Sequence, residues 1–395
     1  MLSKERMDFV TELCQRMVQC PSLSGQEEAL AGLVRQTMEK LGYDEIETDR
    51  YGNVTGVIRF GRPGKTILLE GHMDHVDPGD LSQWTVDPYG GTVKDGRLYG
   101  RGASDMKGSL AAMIAAAAYI KADRQSHLSG TIMVAATVHE ECFEGVASQE
   151  IGERYNPDYV VIGEASSLDI KRGQRGRAEV VVETYGRSAH SSNPEKGINA
   201  VKQMIKLLSR LGQRYTPPTH PILGSGILEL TDIISYPYPG ASVVPDRCRV
   251  TLDRRLLVGE TQEDVLGVFR EIIEELKTSD PGFKAKVLIA TGEARCYTGE
   301  TIQALRFAPG WLLDDDHPYV TSALAAPNRA GLSPKLSHYS FCTNGSYYAG
   351  KAGIPTIGFG ASHEHLAHVV DEYVEISQLI SACKGYYAIC EAMLT

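Results

Sequence analysis

Short apolar segments alternate with amphipathic helical segments along the first part of the chain and again near its end. Apolar runs predict strands at 53–60, 66–70, 130–138 and 158–164, and an Ala-rich segment beginning at Lys107 predicts a helix among them. Strands that alternate with helices favour a mostly parallel sheet covered by helices. The pattern therefore predicts an α/β architecture.

A second pattern begins after the Gly- and Arg-rich segment KRGQRG (171–176). Strand, helix, strand, strand, helix and strand follow in that order, which is the order of a ferredoxin-like α+β unit. The α/β pattern then resumes and ends in a long helix. We therefore expect a discontinuous α/β domain at 1–176 and 293–395, with a smaller lid or dimerisation domain inserted at 177–292.

Two helices are expected before the first strand, separated by PSLSG (21–25). Ser24 lies shortly before the helical pattern QEEALAGLVRQTMEKLG, and serine is a favoured N-cap residue. We therefore predict that Ser24 caps the second helix.

Composition narrows the classes of function. The 395 residues include 40 Lys and Arg against 50 Asp and Glu, a net charge of −10, so a basic surface for nucleic acid is not expected. Eight cysteines without a C-x-x-C pair predict neither a zinc ribbon nor a disulfide scaffold. The first predicted helix carries charges where a signal peptide would have an apolar region. No apolar run reaches the ~18 residues of a membrane span. We expect a cytoplasmic protein that binds neither nucleic acid nor membranes.

Histidines and carboxylates follow several of the predicted strands. GHMDHV places His72 and Asp74 at the end of one strand, Glu140 and Glu141 close a second in TVHEE, and Glu164 ends a third. The carboxyl ends of parallel strands share one edge of a sheet, where ligands commonly bind. We therefore expect these side chains to meet in one site.

Two further positions complete the set. Asp105 lies in the Gly-rich turn GRGASDMKG, and His368 lies in AHVVDE after the apolar strand IPTIGF. Imidazoles and carboxylates without thiolates are typical ligands of a hydrolytic zinc or manganese site. A metal-dependent hydrolase is therefore the leading interpretation.

The motifs, taken in order, resemble the co-catalytic zinc aminoacylase and carboxypeptidase family. They are GHMDHV, WTVDPYGGTVKDGRLYGRGASDMKG, HEE, GEAS and AHVVDEYV. The family includes acetylornithine deacetylase, succinyl-diaminopimelate desuccinylase and glutamate carboxypeptidase, and the resemblance extends from the first helix to the last. DHPYV, SFCTNG and GIPTIGFG are similar to a subgroup of hydrolases linked to selenium metabolism.

The resemblance implies two divalent ions, zinc first with manganese or cobalt as alternatives, about 3.5–4 Å apart. His72 and Glu164 would hold one ion, Glu141 and His368 the other, and Asp105 would bridge them. The resemblance also implies a homodimer or higher homo-oligomer.

Catalytic roles follow from the same resemblance. Asp74 would accept the imidazole N–H of His72. Glu140 would act as the general base on a water that bridges the metals. His190, in GRSAHSS, would donate a hydrogen bond to the oxyanion, from its own subunit or from a partner.

Substrate contacts are implied at two further positions. Arg255, in LDRRLL, would bind a substrate carboxylate, with a structural salt bridge as the alternative. Asn344, in SFCTNG, would line the pocket, and His75 would lie at its rim. Ser242 stands in ASVVP where family members commonly carry asparagine, so the substrate cannot be copied from the deacylases.

The expected reaction is hydrolysis of the amide bond of a small N-acyl amino acid or short peptide. Alternatives are a dipeptidase or carboxypeptidase, or an N-carbamoyl amino acid amidohydrolase. Enzymes of the last kind tend to place histidine where this chain has Glu164. A non-catalytic binding homologue would be expected to have lost a ligand or the base, whereas this chain retains them all.

Overall fold

The computed structural model describes residues 2–395, and within them it contains eight α-helices and 21 β-strands. The helices are α1 Lys4–Val18, α2 Glu28–Lys40, α3 Gly108–Arg124, α4 Val146–Tyr155, α5 Ala200–Arg214, α6 Gln262–Ser279, α7 Pro318–Arg329 and α8 Ile376–Leu394. The strands are β1 Glu45–Thr48, β2 Val54–Arg59, β3 Thr66–His72, β4 Thr92–Lys94, β5 Arg97–Tyr99, β6 Thr131–Thr137, β7 Tyr159–Ile162, β8 Ile170–Gln174, β9 Gly176–Tyr185, β10 Thr219–His220, β11 Gly224–Ser225, β12 Ile227–Tyr236, β13 Arg247–Leu256, β14 Lys284–Ile289, β15 Thr291–Arg295, β16 Thr301–Leu305, β17 Phe307–Ala308, β18 Trp311–Leu312, β19 Leu336–Tyr339, β20 Thr356–Gly358 and β21 Tyr373–Glu375.

The chain forms two compact units. The first runs to Gln174 and includes Glu293–Ala304 and Trp311–Thr395, and the second comprises Arg175–Gly292 and Leu305–Gly310. The sequence pattern had assigned 175–176 and 305–310 to the larger domain. That assignment was wrong, because β9 begins at Gly176 in the second unit and the short strand β17 pairs with it.

The main sheet of the first unit has a parallel centre. Its strand order is β1-β2-β6-β3-β7-β20-β8-β18, with β19 paired to β8. The four strands β6, β3, β7 and β20 run parallel, and β1, β2 and β18 join by antiparallel pairing. The predicted α/β fold with a mostly parallel central sheet is therefore confirmed.

Both faces of this sheet are buried. Along β3, Ile67 and Leu69 pack into one hydrophobic core and Leu68 packs into another. A strand buried on both faces reads as a continuous apolar run rather than an alternating one. The Ala-rich helix α3 contributes thirteen buried residues, because its small side chains allow close packing. Among residues 2–395, no helix has both the length and the apolar character needed to cross a membrane.

The second unit is built on an antiparallel sheet of its own. Its strands run in the order β12-β13-β9-β14, with α5 and α6 as the two connecting helices. This order and the βαββαβ connectivity match the ferredoxin-like prediction. The apolar faces of α5, α6 and the sheet form a separate core around Phe269 and Val180. The unit therefore has a hydrophobic core independent of the first.

Candidate metal centre

The parallel strands place their carboxyl ends at one edge of the main sheet. His72 is the last residue of β3, and it lies opposite Thr137, the last residue of β6. Glu164 follows β7 by two residues, and His368 lies in the segment after β20. The sequence positions that were predicted to meet at this edge do so.

The two histidines each lie against two carboxylates. His72 Nε2 is 3.0 Å from Asp105 Oδ1 and 3.3 Å from Glu164 Oε1. His368 Nε2 is 3.2 Å from Asp105 Oδ2 and 3.1 Å from Glu141 Oε1. Asp105 thus turns one oxygen toward each imidazole, and the five side chains form two groups that share it.

The position of Asp105 is set by a buried glutamate that the sequence interpretation had not singled out. Glu372 is fully buried, and its Oε1 accepts the backbone N–H groups of Ser104 and Asp105 at 2.8 and 3.1 Å. Its Oε2 accepts Arg101 Nη1 at 2.6 Å. Glu372 lies four residues after His368, so one carboxylate ties the Asp105 turn to the His368 segment. The signal in the sequence was the DE pair that closes AHVVDE.

Glu140 and Glu141 turn to different partners although they are adjacent. Ligand atoms of His72, Glu140 and Glu164 lie within 4.8 Å of one another, as do those of His72, Asp105 and Glu141. Glu140 Oε1 is buried and has no hydrogen-bond partner. Strand β6 has already ended at Thr137, so the alternation of faces along a strand does not apply to this pair.

The electrostatics of the cluster favour a bound cation. Burial raises the pKa of Glu164 to about 7, and repulsion from Asp105 adds to the shift. Burial also raises the pKa of Glu140. Hydrogen bonding to Asp105, and then to Glu141, raises the pKa of His368 to about 10. Carboxylates outnumber imidazoles in this cluster, and divalent cations would reduce the repulsion between the carboxylates. The residues present therefore fit a metal site.

Asp74 does not hold His72 in the way that was predicted. His72 Nδ1 is 2.8 Å from the backbone carbonyl of Asp74 and 3.6 Å from its Oδ1. The carboxylate instead accepts the backbone N–H groups of Glu140 at 3.0 Å and Glu141 at 3.2 Å. The main chain of Asp74 fixes the imidazole tautomer, and its side chain supports the two glutamates.

Two further predictions near the N-terminus are corrected. Ser24 is not the cap of α2, because the helix begins at Glu28 and its N-cap residue is Glu27. The Ser24 hydroxyl instead donates to Asp74 Oδ2 at 2.7 Å. His75 is not at a pocket rim but is buried. Its Nε2 accepts the Ser22 N–H at 3.0 Å, and its Nδ1 is 2.8 Å from the Val76 carbonyl. Both residues join the N-terminal loop to the end of β3.

Asn344 does not present a free amide to a substrate. Its Nδ2 donates to Glu70 Oε1 at 2.7 Å and to Thr137 Oγ1 at 3.2 Å, and its Oδ1 accepts the Gly145 N–H at 2.6 Å. The side chain is buried. Because its donor and acceptor atoms are engaged inside the first unit, the prediction of a substrate contact is replaced by a structural role.

Arg255 and His190 both lie in the second unit. Arg255 Nε is 2.8 Å from Asp253 Oδ1, while the other oxygen of Asp253 accepts Arg177 Nε at 2.8 Å. His190 is exposed, and its Nδ1 accepts the Ser192 N–H at 3.1 Å. The salt bridge that was the alternative for Arg255 is therefore present.

Comparison with known proteins gives a consistent picture. A family model described as peptidase family M20/M25/M40 matches residues 68–392. The uncharacterized protein YgeY of Escherichia coli (strain K12) is 33% identical over 391 residues, covering 98% of this chain and 95% of YgeY. An acetylornithine deacetylase of Proteus mirabilis (strain HI4320) is 29% identical, covering 93% of this chain and 92% of that protein.

A solved structure shares the fold. It is the YXEP protein of Bacillus subtilis, described as a dinuclear metal binding peptidase from the M20 family, with a TM-score of 0.73 and 15% identity over the whole of both chains. The family model spans most of the present chain, and members of the family cleave amide bonds of acyl amino acids or peptides. This chain belongs to peptidase family M20/M25/M40 and is a metallohydrolase of that kind.

Proposed function

We propose that this protein hydrolyses the amide bond of a small N-acyl amino acid or a short peptide at a centre that holds two divalent cations, zinc first. The observation that carries the proposal is Asp105, whose two oxygens lie 3.0 Å from His72 Nε2 and 3.2 Å from His368 Nε2. A carboxylate shared between two imidazole-containing groups suits a pair of cations side by side. His72 and Glu164 would hold one cation, and Glu141 and His368 the other.

Cations bound there would polarise the scissile carbonyl and lower the pKa of a water. Glu140 is proposed as the general base, because its Oε1 is buried beside His72 and Glu164 without a hydrogen-bond partner. It would take the proton from the attacking water and deliver it to the leaving amine. A buried carboxylate with a raised pKa suits both steps, since it can hold the proton between them.

The second unit is proposed to supply substrate contacts. Since His190 Nδ1 accepts the Ser192 N–H, the ring proton is left on Nε2, which can donate to an oxyanion. Arg255 would bind a substrate carboxylate with its terminal nitrogens while Asp253 holds Nε. A carboxylate-bearing substrate is therefore favoured over a neutral amide.

The competing activities differ in the bond they cleave. A dipeptidase or carboxypeptidase would use the same centre on a peptide bond. An N-carbamoyl amino acid amidohydrolase is less well supported, because Glu164 occupies the position where those enzymes tend to place histidine. Glu164 Oε1 lies 3.3 Å from His72 Nε2, which suits a carboxylate ligand.

A reconstitution screen tests the proposal. Protein stripped with a chelator is reloaded with zinc, manganese or cobalt and incubated with acetyl-, succinyl-, formyl- and carbamoyl-amino acids and with dipeptides. Release of free amine is expected from at least one N-acyl amino acid or dipeptide, only after metal is restored, and not from Glu140→Gln prepared in parallel. No turnover of any amide with two cations bound would overturn the proposal, as would equal turnover by Glu140→Gln.

We further propose a homodimer formed through β12. This strand is at one end of the sheet of the second unit, so one of its edges is unpaired within the described residues. It exposes apolar side chains, including Ile233 at 53% and Leu230 at 42%. An exposed apolar edge strand readily pairs with a second copy of itself. Light scattering should give a dimer, and Ile233→Lys should give a folded monomer; a monomeric wild type would contradict the proposal.

A further inference from the structure

The backbone just after β6 is held by hydrogen bonds from its N–H groups to side chains rather than to other backbone groups. Four consecutive amide N–H groups each donate to a side chain from another part of the chain. The N–H of Val138 donates to Asn53 Oδ1 at 3.0 Å, and the N–H of His139 donates to Glu27 Oε1 at 3.3 Å. The next two N–H groups donate to the two oxygens of Asp74.

The turn itself explains why these donors point the same way. His139 has a φ of 56°, in the left-handed region that non-glycine residues rarely adopt. Consecutive N–H groups around such a residue form a concave surface that binds anions. Here the anions belong to the protein, because the carboxylates of Glu27 and Asp74 occupy that surface. The buried His139 ring packs edge-on against Phe143, with 6.2 Å between ring centroids.

Glu27 is placed where a carboxylate is costly. It is fully buried, and its Oε2 has no hydrogen-bond partner. Its Oε1 also accepts the N–H of Gly25 at 3.0 Å. Gly25 has a φ of +86°, and a Cβ there would lie 2.6 Å from the carbonyl oxygen of Arg295, so this position requires glycine. Burying a carboxylate with one oxygen lacking a hydrogen bond costs free energy, which points to a role for Glu27 beyond packing.

We propose that Glu27 is a positioning residue for amide hydrolysis, an inference that rests on the proposed function. Glu27 holds the N–H of His139 while Asp74 holds the next two, so the turn is fixed on both sides. The fixed turn sends Glu140 toward His72 and lets Glu141 reach His368 at 3.1 Å. One acceptor oxygen of Glu27 takes the N–H groups of both Gly25 and His139, so the acceptor itself ties the two segments together.

Three substitutions separate the hydrogen bond from the charge. Glu27→Gln keeps an acceptor oxygen at the same reach and removes the charge. Glu27→Asp keeps the charge and withdraws the oxygen by one methylene, and Glu27→Ala removes both. The control is Asp158→Ala, because Asp158 accepts the N–H of Thr66 at 2.8 Å at the opposite end of β3, away from the cluster.

Two sets of measurements are made on each folded variant, one on metal binding and one on kinetics. Zinc affinity is measured by competition with a chromophoric chelator, together with the visible spectrum of the cobalt-loaded protein. kcat and KM are measured on the substrate found by the reconstitution screen. Outer groups that orient metal ligands are typically worth 10–100-fold in affinity or activity. We expect Glu27→Asp and Glu27→Ala to lose about that factor in the weaker zinc site and in kcat, with KM changed little.

The Glu27 variants are expected to differ from one another and from the Asp158→Ala control. Glu27→Gln should stay within about threefold of the wild type, and Asp158→Ala should lower the melting temperature without changing zinc affinity or the cobalt spectrum. Wild-type zinc affinity and kcat in a folded Glu27→Asp or Glu27→Ala would overturn the proposal. Equal losses in Glu27→Gln and Glu27→Ala would also overturn it, because only the first retains the acceptor. A wild type that binds zinc but cleaves no amide removes the proposed function, and the zinc measurements still test the positioning role of Glu27.

Discussion

At the scale of single residues, two adjacent glutamates acquire different chemistry from their surroundings. Glu141 lies 3.1 Å from His368 Nε2, whereas Glu140 keeps a buried oxygen with no partner. The same residue type can therefore serve as a ligand at one position and as a base at the next. The difference comes from the turn at His139, which releases the pair from the geometry of β6.

Glu140→Gln should keep both cations and lose activity. The amide preserves size but cannot take a proton, and a positioned general base typically contributes ~10²–10⁴-fold in rate. Elemental analysis and steady-state kinetics on the same sample measure the two effects. Glu141→Gln is the matched comparison and should lose metal instead. If Glu140→Gln loses metal while Glu141→Gln retains it, the two roles are reversed.

His72→Ala and His368→Ala should each reduce the bound metal from two equivalents to about one. Each imidazole lies in a different group around Asp105, so removing one leaves the other group intact. Elemental analysis after loading with excess zinc and desalting measures the stoichiometry. His365→Ala, which removes an exposed histidine from the same segment as His368, should leave it unchanged. Two tightly bound equivalents in either of the first two variants would argue against the shared arrangement.

At the scale of elements, the site depends on how closely neighbouring strands approach. Gly360 follows β20, and a Cβ there would lie 2.3 Å from the backbone carbonyl oxygens of Gly163 and Glu164. Backbone atoms cannot move away as a flexible side chain could. The glycine therefore lets the segment after β20 pass directly beside Glu164, a proposed metal ligand.

Gly360→Ala should destabilise the protein by about 3 kcal/mol, at the upper end of the usual cost of overpacking. It should also weaken zinc binding, because the carbonyl of Glu164 has to shift. Gly32→Ala is the matched control: Gly32 lies within α2, and a Cβ there meets nothing within 4 Å. That change should stabilise the protein by about 0.5–1 kcal/mol. Urea unfolding of both variants measures the effect, and equal stability for the two would contradict this account.

At the scale of the whole molecule, the proposed activity draws on two units with separate cores. The proposed metal-binding side chains belong to the first unit, while His190 and Arg255 belong to the second. Lids that carry catalytic groups often close over a substrate and complete a site. The proposed lid role of the second unit can therefore be tested by substituting His190, which is far in sequence from every proposed ligand.

His190→Ala should bind both cations normally and be nearly inactive, because a donor to the oxyanion acts mainly on the transition state. The fall should appear in kcat, by about 10²–10³-fold, with KM changed less. His220→Ala, in the same unit, is the control and should retain activity. If the donor comes from a partner subunit, mixing His190→Ala with Glu140→Gln should restore some activity. Full activity in His190→Ala would exclude the role.

Much of the fold and the positions of the cluster could be predicted from the sequence, for local physical reasons. Apolar runs such as the one before His72 end where a buried strand ends, and polar residues there mark the sheet edge. The helices and strands of the second unit could be predicted from periodicity in the same way. The boundary at 305–310 could not, because two residues of β17 carry too short a pattern to reveal their pairing with β9.

Hydrophobic periodicity and local motifs were enough to predict the order of elements and the residue types at the strand ends. Which atoms meet depends on tertiary folding. Folding directed the carboxylate of Asp74 to backbone N–H groups and buried Asn344 against Glu70. It also brought the carboxylate of Glu372 to the backbone N–H of Asp105. These partners are separated by 66 to 274 residues along the chain, and a hydrogen bond over such a separation leaves no periodic signal.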